Sequence, residues 1–276
     1  DWPGSPADDA LALRLCAGLH RLVLTRADPL LVSCYPPRDT DSARLGDVLD
    51  RTLALSDDYL ATALDTPPQT NEIARSAMLF PGFVTVGREI GLPLHLHEIG
   101  SSAGLNLYFD RFHYRYRAVE AGDPASPVRL SAEVVGTPPP LSNPPLIASR
   151  TGSDIVPVDL DDPAQRLRLR SFIWADQTER LARLDAAIAL ARAQPIALQN
   201  AGAADVVAAA LDAHPRDGAF VLFHSVMWQY MAAAERQRIE DMLRAAGERE
   251  AFPIAWLRME PLHTTDRHAT LILTLW

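Results

Sequence analysis

Basic side chains are scarce. Lys and Arg together number 26 against 35 Asp and Glu, a formal net charge of −9 over 276 residues. A sequence-blind nucleic-acid binder normally carries a basic surface, so this balance argues against that class and says little about a small-molecule partner. Cysteine is nearly absent. Cys16 and Cys34 give neither a metal-ligand spacing nor a disulfide framework, and a reducing cytoplasm is the simplest home. No apolar run approaches bilayer-spanning length, so no membrane partner is expected. Internal repeats and low-complexity tracts are also missing. The chain opens on Asp1 rather than Met, which makes the lack of a signal peptide uninformative. What the chain does have is apolar content: 48% of residues, enough for a sizeable core. One large domain, or one domain with a cap, is expected. Nothing in the sequence sets an oligomeric state.

Helical spacing dominates the first third. Leu11, Leu15, Leu19 and Val23 recur on one face, and Asp28-Pro29 stops the pattern. A second run carries Leu45, Val48, Leu49 and Leu53, and a third follows Pro67-Pro68. Leu30 to Tyr35 reads as a short strand, and Pro81 to Ile90 as a helix with Gly91 at its C-terminal cap. Leu94 to Ile99 is then the first strand of the main sheet. Downstream, FHYRYRAVE and VRLSAEVVG read as a hairpin. The prolines at 138, 139, 140, 144 and 145 mark an exposed loop. SDIVPVDL reads as a strand ending at Asp159, and Leu167 to Ala193 as one long helix. Strand IALQNA, helix ADVVAAALDA, buried strand AFVLFHS and a helix from Ala232 to Ala246 near Gly247 follow. FPIAWLRME and HATLILTLW close the chain as paired strands. The expectation is an α/β fold: a helical region at 1–90, then a mostly parallel sheet at 91–276 ending in an antiparallel hairpin, with an insertion at about 112–150.

The most specific stretch is LHLHEIGSSAGLNLYFD, Leu94 to Asp110. Glu98 closes the strand, and Gly100, Ser101, Ser102, Ala103 and Gly104 make a turn without bulky side chains. Glycine allows the turn's dihedrals and the close approach of a ligand. A helix after the turn would point free backbone N–H groups at the same spot. An acid, a bare turn and a helix N-terminus together suit a nucleoside-type ligand.

This order of elements resembles the class I S-adenosylmethionine-dependent methyltransferase fold, a Rossmann-like architecture. Its first strand usually ends in an acid followed by E/D-x-G-x-G-x-G. Here the run is Glu98-Ile99-Gly100-Ser101-Ser102-Ala103-Gly104, with Ser102 where the middle glycine would stand. PPQTNEIAR, HEIGSSAGLNLYFDRFHYRY, DIVPVDL, FIWADQTERLARLDAA and HSVMWQY further resemble a bacterial family of unknown function with this predicted fold, over roughly residues 65 to 276. The resemblance implies S-adenosyl-L-methionine as cofactor, with Glu98, the Gly100–Gly104 turn and Asn106 around it.

Other residues are candidates with two readings each. Asn71 and Arg75 share a helical face with Glu72 and could contact the cofactor carboxylate, or form a solvated helix start. Asp154 and Asp159 flank a strand; Asp159 is the choice for the ribose hydroxyls, with a helix cap as its alternative. Trp174 could stack on a flat ligand while Asp176 and Gln177 read its edge, or all three could be ordinary core and surface. His224 and Ser225 end the most apolar strand, where His224 could act as general base or be satisfied by the backbone. Trp228 and Tyr230 could wall the acceptor pocket. His95 and His97 share a strand face and could form half a metal site, but core histidines explain them more simply, so no metal is expected.

Three functions follow. The first is methyl transfer to an unidentified small molecule, with His224 deprotonating the acceptor. The second is a protein that binds the cofactor without reaction. The third is a serine hydrolase in which Gly100-Ser101-Ser102-Ala103-Gly104 is a nucleophile elbow, with Ser102 attacking and Asp159 and His224 or His268 completing a triad. Glu98 near a developing oxyanion opposes the third.

Overall fold

The computed structural model describes all residues except 1, 8, 66, 250, 264, 265 and 267. The chain forms two compact units: Asp1–Thr70 with Asp159–Asp185, and Asn71–Val158 with Ala186–Trp276. The helix ending at Ile90, read from sequence as part of the leading helical region, folds within the second unit.

In chain order the helices are α1 (Leu11–Leu24), α2 (Pro29–Cys34), α3 (Ser42–Leu55), α4 (Asp57–Asp65), α5 (Ser76–Ile90), α6 (Pro163–Ser171), α7 (Thr178–Ala193), α8 (Ala203–Asp212) and α9 (Ala233–Glu248). The first unit holds α1 to α4, α6 and the start of α7. The apolar stripe of α1 supplies Leu19 and Leu22, which pack with Leu31 and Leu60. Each such side chain contributes about 1.5–3 kcal/mol when fully buried. Leu30 to Tyr35 is not a strand. Asp28 accepts from the amides of Leu30 and Leu31, and Pro29 occupies the first turn, so α2 starts there. The single long helix expected over 167–193 is two helices. Between them lies a turn in which the Gln177 amide donates to the Trp174 carbonyl, and Trp174 is 45% exposed rather than core.

The strands are β1 (Leu94–Ile99), β2 (His113–Tyr116), β3 (Val119–Gly122), β4 (Arg129–Ala132), β5 (Ile147–Asp154), β6 (Leu198–Asn200), β7 (Ala219–Ser225), β8 (Ile254–Glu260) and β9 (Thr270–Leu275). Six of them form one sheet in the order β6-β5-β1-β7-β8-β9, all parallel except β9, which runs antiparallel to β8. The second unit is therefore α/β with a mostly parallel sheet. The chain steps outward from β1 to β6, then returns to β7 on the other side of β1. In such sheets the crevice outside the carboxyl ends of the two parting strands is the usual ligand site.

One face of the sheet is covered by α8 and α9, where Ile99, Phe220, Leu222, Ile254 and Trp256 meet Val207, Ile239 and Leu243. On the other, Phe83 of α5 stacks on Phe109 at 3.9 Å between ring centres and meets Phe223 edge-on at 5.0 Å. β7 is buried along its whole length, as its apolar run requires.

Three sequence readings change here. SDIVPVDL does not end a strand at Asp159; β5 ends at Asp154, and the next four residues have no regular structure. FHYRYRAVE is itself the β2–β3 hairpin, reversing at Arg117, whose φ is +55°. VRLSA then pairs with the other edge of β2 in parallel, not as a hairpin. Finally, Gly247 lies inside α9 against Trp276 instead of capping it. The proline-rich stretch is irregular, as expected. Residues 140–146 line a cavity of about 550 Å³ with Val84, Arg88 and Pro93, at the amino end of β1.

Candidate functional site

Glu98 occupies the carboxyl end of β1, beside β7. It is 3% exposed, and its Oε2 has no hydrogen-bond partner. Burial, the largest effect, pushes this carboxyl well above the usual carboxylate range; Arg75 draws it back and Asp154 pushes it further up. A buried polar atom without a partner is costly, so Glu98 is the strongest sign of a ligand at this edge. Nearby, Asn106 accepts from Ser76 Oγ through its Oδ1 at 2.7 Å, while its buried Nδ2 has no partner. The Ser102 and Ser153 hydroxyls are likewise buried and unpartnered.

The turn after Glu98 is less open than its composition suggests. Gly100 and Gly104 take φ of +65° and +68°, and Ser102 takes +53°. A Cβ on Gly100 would lie 2.9 Å from Met227, and one on Gly104 would lie 2.9 Å from Leu198. Glycine thus admits protein side chains. The turn's amides are also used internally. Ser101 N donates to the Ser153 carbonyl, Ser102 N to Asp154 Oδ2, Gly104 N to the Ser101 carbonyl, and Leu105 N to Asn71 Oδ1. The element that follows is a short 3-10 helix, Leu105–Arg111, instead of an α-helix. The expected free N–H groups at a helix N-terminus are therefore absent at these four positions.

A second group lies at the ends of β7 and β8. His224 is 0% exposed, and its Nδ1 lies 2.7 Å from Glu260 Oε1. Glu260 Oε1 already accepts two backbone amides and so accepts from His224 as well; Nδ1 carries the proton and Nε2, which is unpartnered, the lone pair. Burial lowers the His224 pKa more than Glu260 raises it, so the ring is held neutral. Glu260 Oε1 also accepts from the amides of Met227 and Trp228, while Oε2 has no partner. Trp228 stacks on His224 at 4.8 Å. Arg75 donates to the Ser225 carbonyl at 2.8 Å and to Ser225 Oγ at 3.3 Å. Burial lowers its pKa, and the charges of Glu72, Glu260 and Glu98 oppose that.

The second unit thus brings together Glu98, Ser101, Ser102, Ala103, Asn106, Asn71, Arg75, Ser225, His224 and Trp228. Several roles differ from expectation. Asn71 caps the 3-10 helix, and Arg75 ties the start of α5 to the end of β7. Asp159 lies in the first unit, where its Oδ1 accepts from the Asp161 amide in a loop before α6. Asp154 is the acid that ends β5, and both its oxygens hold turns, at Ser102 N and Val156 N. Asp176 and Gln177 also belong to the first unit, in the turn before α7, where Gln177 accepts from Arg180. No histidine is bonded to Ser102 Oγ, so no triad is assembled there. His95 is engaged by Ser149 and Asp217. His97 stacks on Phe220, and burial pushes its pKa down to about 4. Among the described residues no group of three His, Cys, Asp or Glu is arranged to hold a metal ion.

Glu260 and Met227 were missed from sequence. Glu260 carried a usable signal: like Glu98, it is an acid closing an apolar strand. Met227 carried none, because its place over Gly100 is set by contacts across 127 positions of chain.

Comparison with curated proteins and with solved structures gave no match. A family model matches residues 1–276, and by that match the chain belongs to DUF2332, the family described as an uncharacterized protein conserved in bacteria.

Proposed function

We propose that the protein is an S-adenosylmethionine-dependent methyltransferase acting on a small molecule. The observation that carries this reading is Glu98: a nearly fully buried acid with an unpartnered oxygen, ending the first strand where the sheet order reverses. The closing antiparallel strand accords with the resemblance of the sequence to that class.

Glu98 Oε2 and Asn106 Nδ2 offer one acceptor and one donor, a set that fits the amine and carboxylate of an amino-acid moiety. Met227 must withdraw from Gly100 for a ligand to lie on the turn. When bound, S-adenosylmethionine supplies an already activated methyl group, so the protein's task is alignment. His224 Nε2 accepts the acceptor's proton, and Glu260 holds that ring in the required tautomer and stabilises its cation. No acid is assigned to the ribose, since both Asp154 oxygens serve the turns.

Calorimetry with S-adenosylhomocysteine tests the cofactor. The wild type should bind at one site, and Glu98→Ala should bind about tenfold or more weakly, as expected for a lost buried hydrogen bond of about 1–3 kcal/mol. Absence of heat from the folded wild type at millimolar ligand rejects the assignment. The full burial of His224 favours a second reading, binding without transfer. Transfer of a labelled methyl group to any pool of small acceptors decides between them.

A further inference from the structure

The segment joining β7 to α9 holds three observations that belong together. Val226 has φ +50°, a left-handed conformation that a β-branched residue rarely adopts. Met227 lies on Gly100, and Trp228 on His224. One oxygen of Glu260 receives three donors, from His224, Met227 and Trp228, while its other oxygen receives none. A strained residue is retained where its surroundings over-determine it, and such residues cluster at switch regions. Here the surroundings are the two side chains that close the turn and the base, and the carboxylate that grips their amides. Tyr230, three residues on, is 78% exposed, so the segment leaves the core at once.

We infer that residues 226–231 form a plug that a ligand displaces, with Glu260 as its latch; this rests on the nucleoside reading of the same site. Met227 offers an unbranched thioether chain and Trp228 a flat aromatic ring, the two surfaces that an S-adenosyl thioether also presents. The plug therefore competes with a ligand of that class for the space over Gly100 and beside His224. Withdrawal frees Val226 from its strained dihedral. Glu260 keeps its bond to His224, so the base stays oriented while the turn opens. A ligand with no thioether or sulfonium chain lacks the group that replaces Met227.

Calorimetry with S-adenosylhomocysteine on wild type, Met227→Ala and Met227→Leu tests this, together with hydrogen exchange of the Met227 and Trp228 amides. Met227→Ala should bind about tenfold more tightly, because no side chain must leave first. Met227→Leu, which keeps the bulk, should bind like the wild type. Ligand should speed exchange at both amides. Unchanged or weaker binding by folded Met227→Ala overturns the plug, and so does slower exchange on binding, which would mark a lid closing over the ligand. If none of the three proteins binds, the nucleoside reading fails, and exchange in the free protein decides the plug. Opening at Met227 and Trp228 faster than in β7 and β8 supports it; equal protection refutes it.

Discussion

Two buried titratable residues make opposite demands on pH. Glu98 has its pKa raised by burial, so the stability linked to it is full in acid and is lost as pH rises through the folded value. Glu98→Gln, which has the same shape and cannot ionise, should therefore gain stability over the wild type as pH rises. Urea unfolding at several pH values should show that difference growing with pH and closing in acid. His97 behaves in the reverse sense. Its two ring nitrogens have no partners, and burial takes its pKa from 6.5 to about 4. Stability linked to it is full above the unfolded value and declines as pH falls between those two values. The loss reaches about 3 kcal/mol below pH 4. His97→Phe, which keeps a ring against Phe220, should shift the acid-unfolding midpoint downward; an unchanged midpoint would assign the acid sensitivity elsewhere. At this scale the sequence already showed Glu98 and His224 by their places at strand ends. It did not show Glu260 as the partner of His224, since the two are brought to 2.7 Å by neighbouring strands.

Elements were legible where their pattern was long. α1, α8, α9 and β7 carry enough turns or enough apolar residues to show their period, whereas α5 runs from Ser76 through Pro81 to Ile90 where the sequence reads a separate helix from Pro81. Short elements were misread for physical reasons. α2 has six residues, fewer than two turns, and its helicity comes from the Asp28 cap instead of from periodicity. Asp28 also accepts from Thr52 and pairs with Arg51, tying α2 to α3. Asp28→Ala should cost about 1–2 kcal/mol, measured as a lower urea midpoint with unchanged slope. The turn after β1 was read as open because its residues are small. Small residues equally let Met227 and Leu198 approach, and composition does not separate a ligand's place from a side chain's.

For the molecule as a whole, the first unit is assembled from two stretches of chain separated by Asn71–Val158 of the second. α1 packs against α6, His20 Nδ1 meets the Ile173 carbonyl at 2.9 Å, and Arg168 donates to the Pro67 carbonyl. Cutting at residue 70 therefore strips α6 of its cover and exposes Leu169, Phe172 and Ile173, which are buried in the full chain. The fragment 71–276 should aggregate, and co-expressed residues 1–70 should restore a soluble complex on gel filtration. A monodisperse 71–276 fragment would show that α6 and its neighbours do not need the first helices.

By itself the sequence determined the type of most elements, the buried parallel strands and the acid that ends β1. These follow from local causes: apolar period, proline, caps and the residues of one turn. Tertiary structure decided that Glu260 is the partner of His224, which histidine nitrogen is free, and that Met227 and Trp228 cover the turn and the base. Each of those depends on side chains far apart in the chain meeting at one edge of the sheet, and only the strand order β6-β5-β1-β7-β8-β9 puts them there.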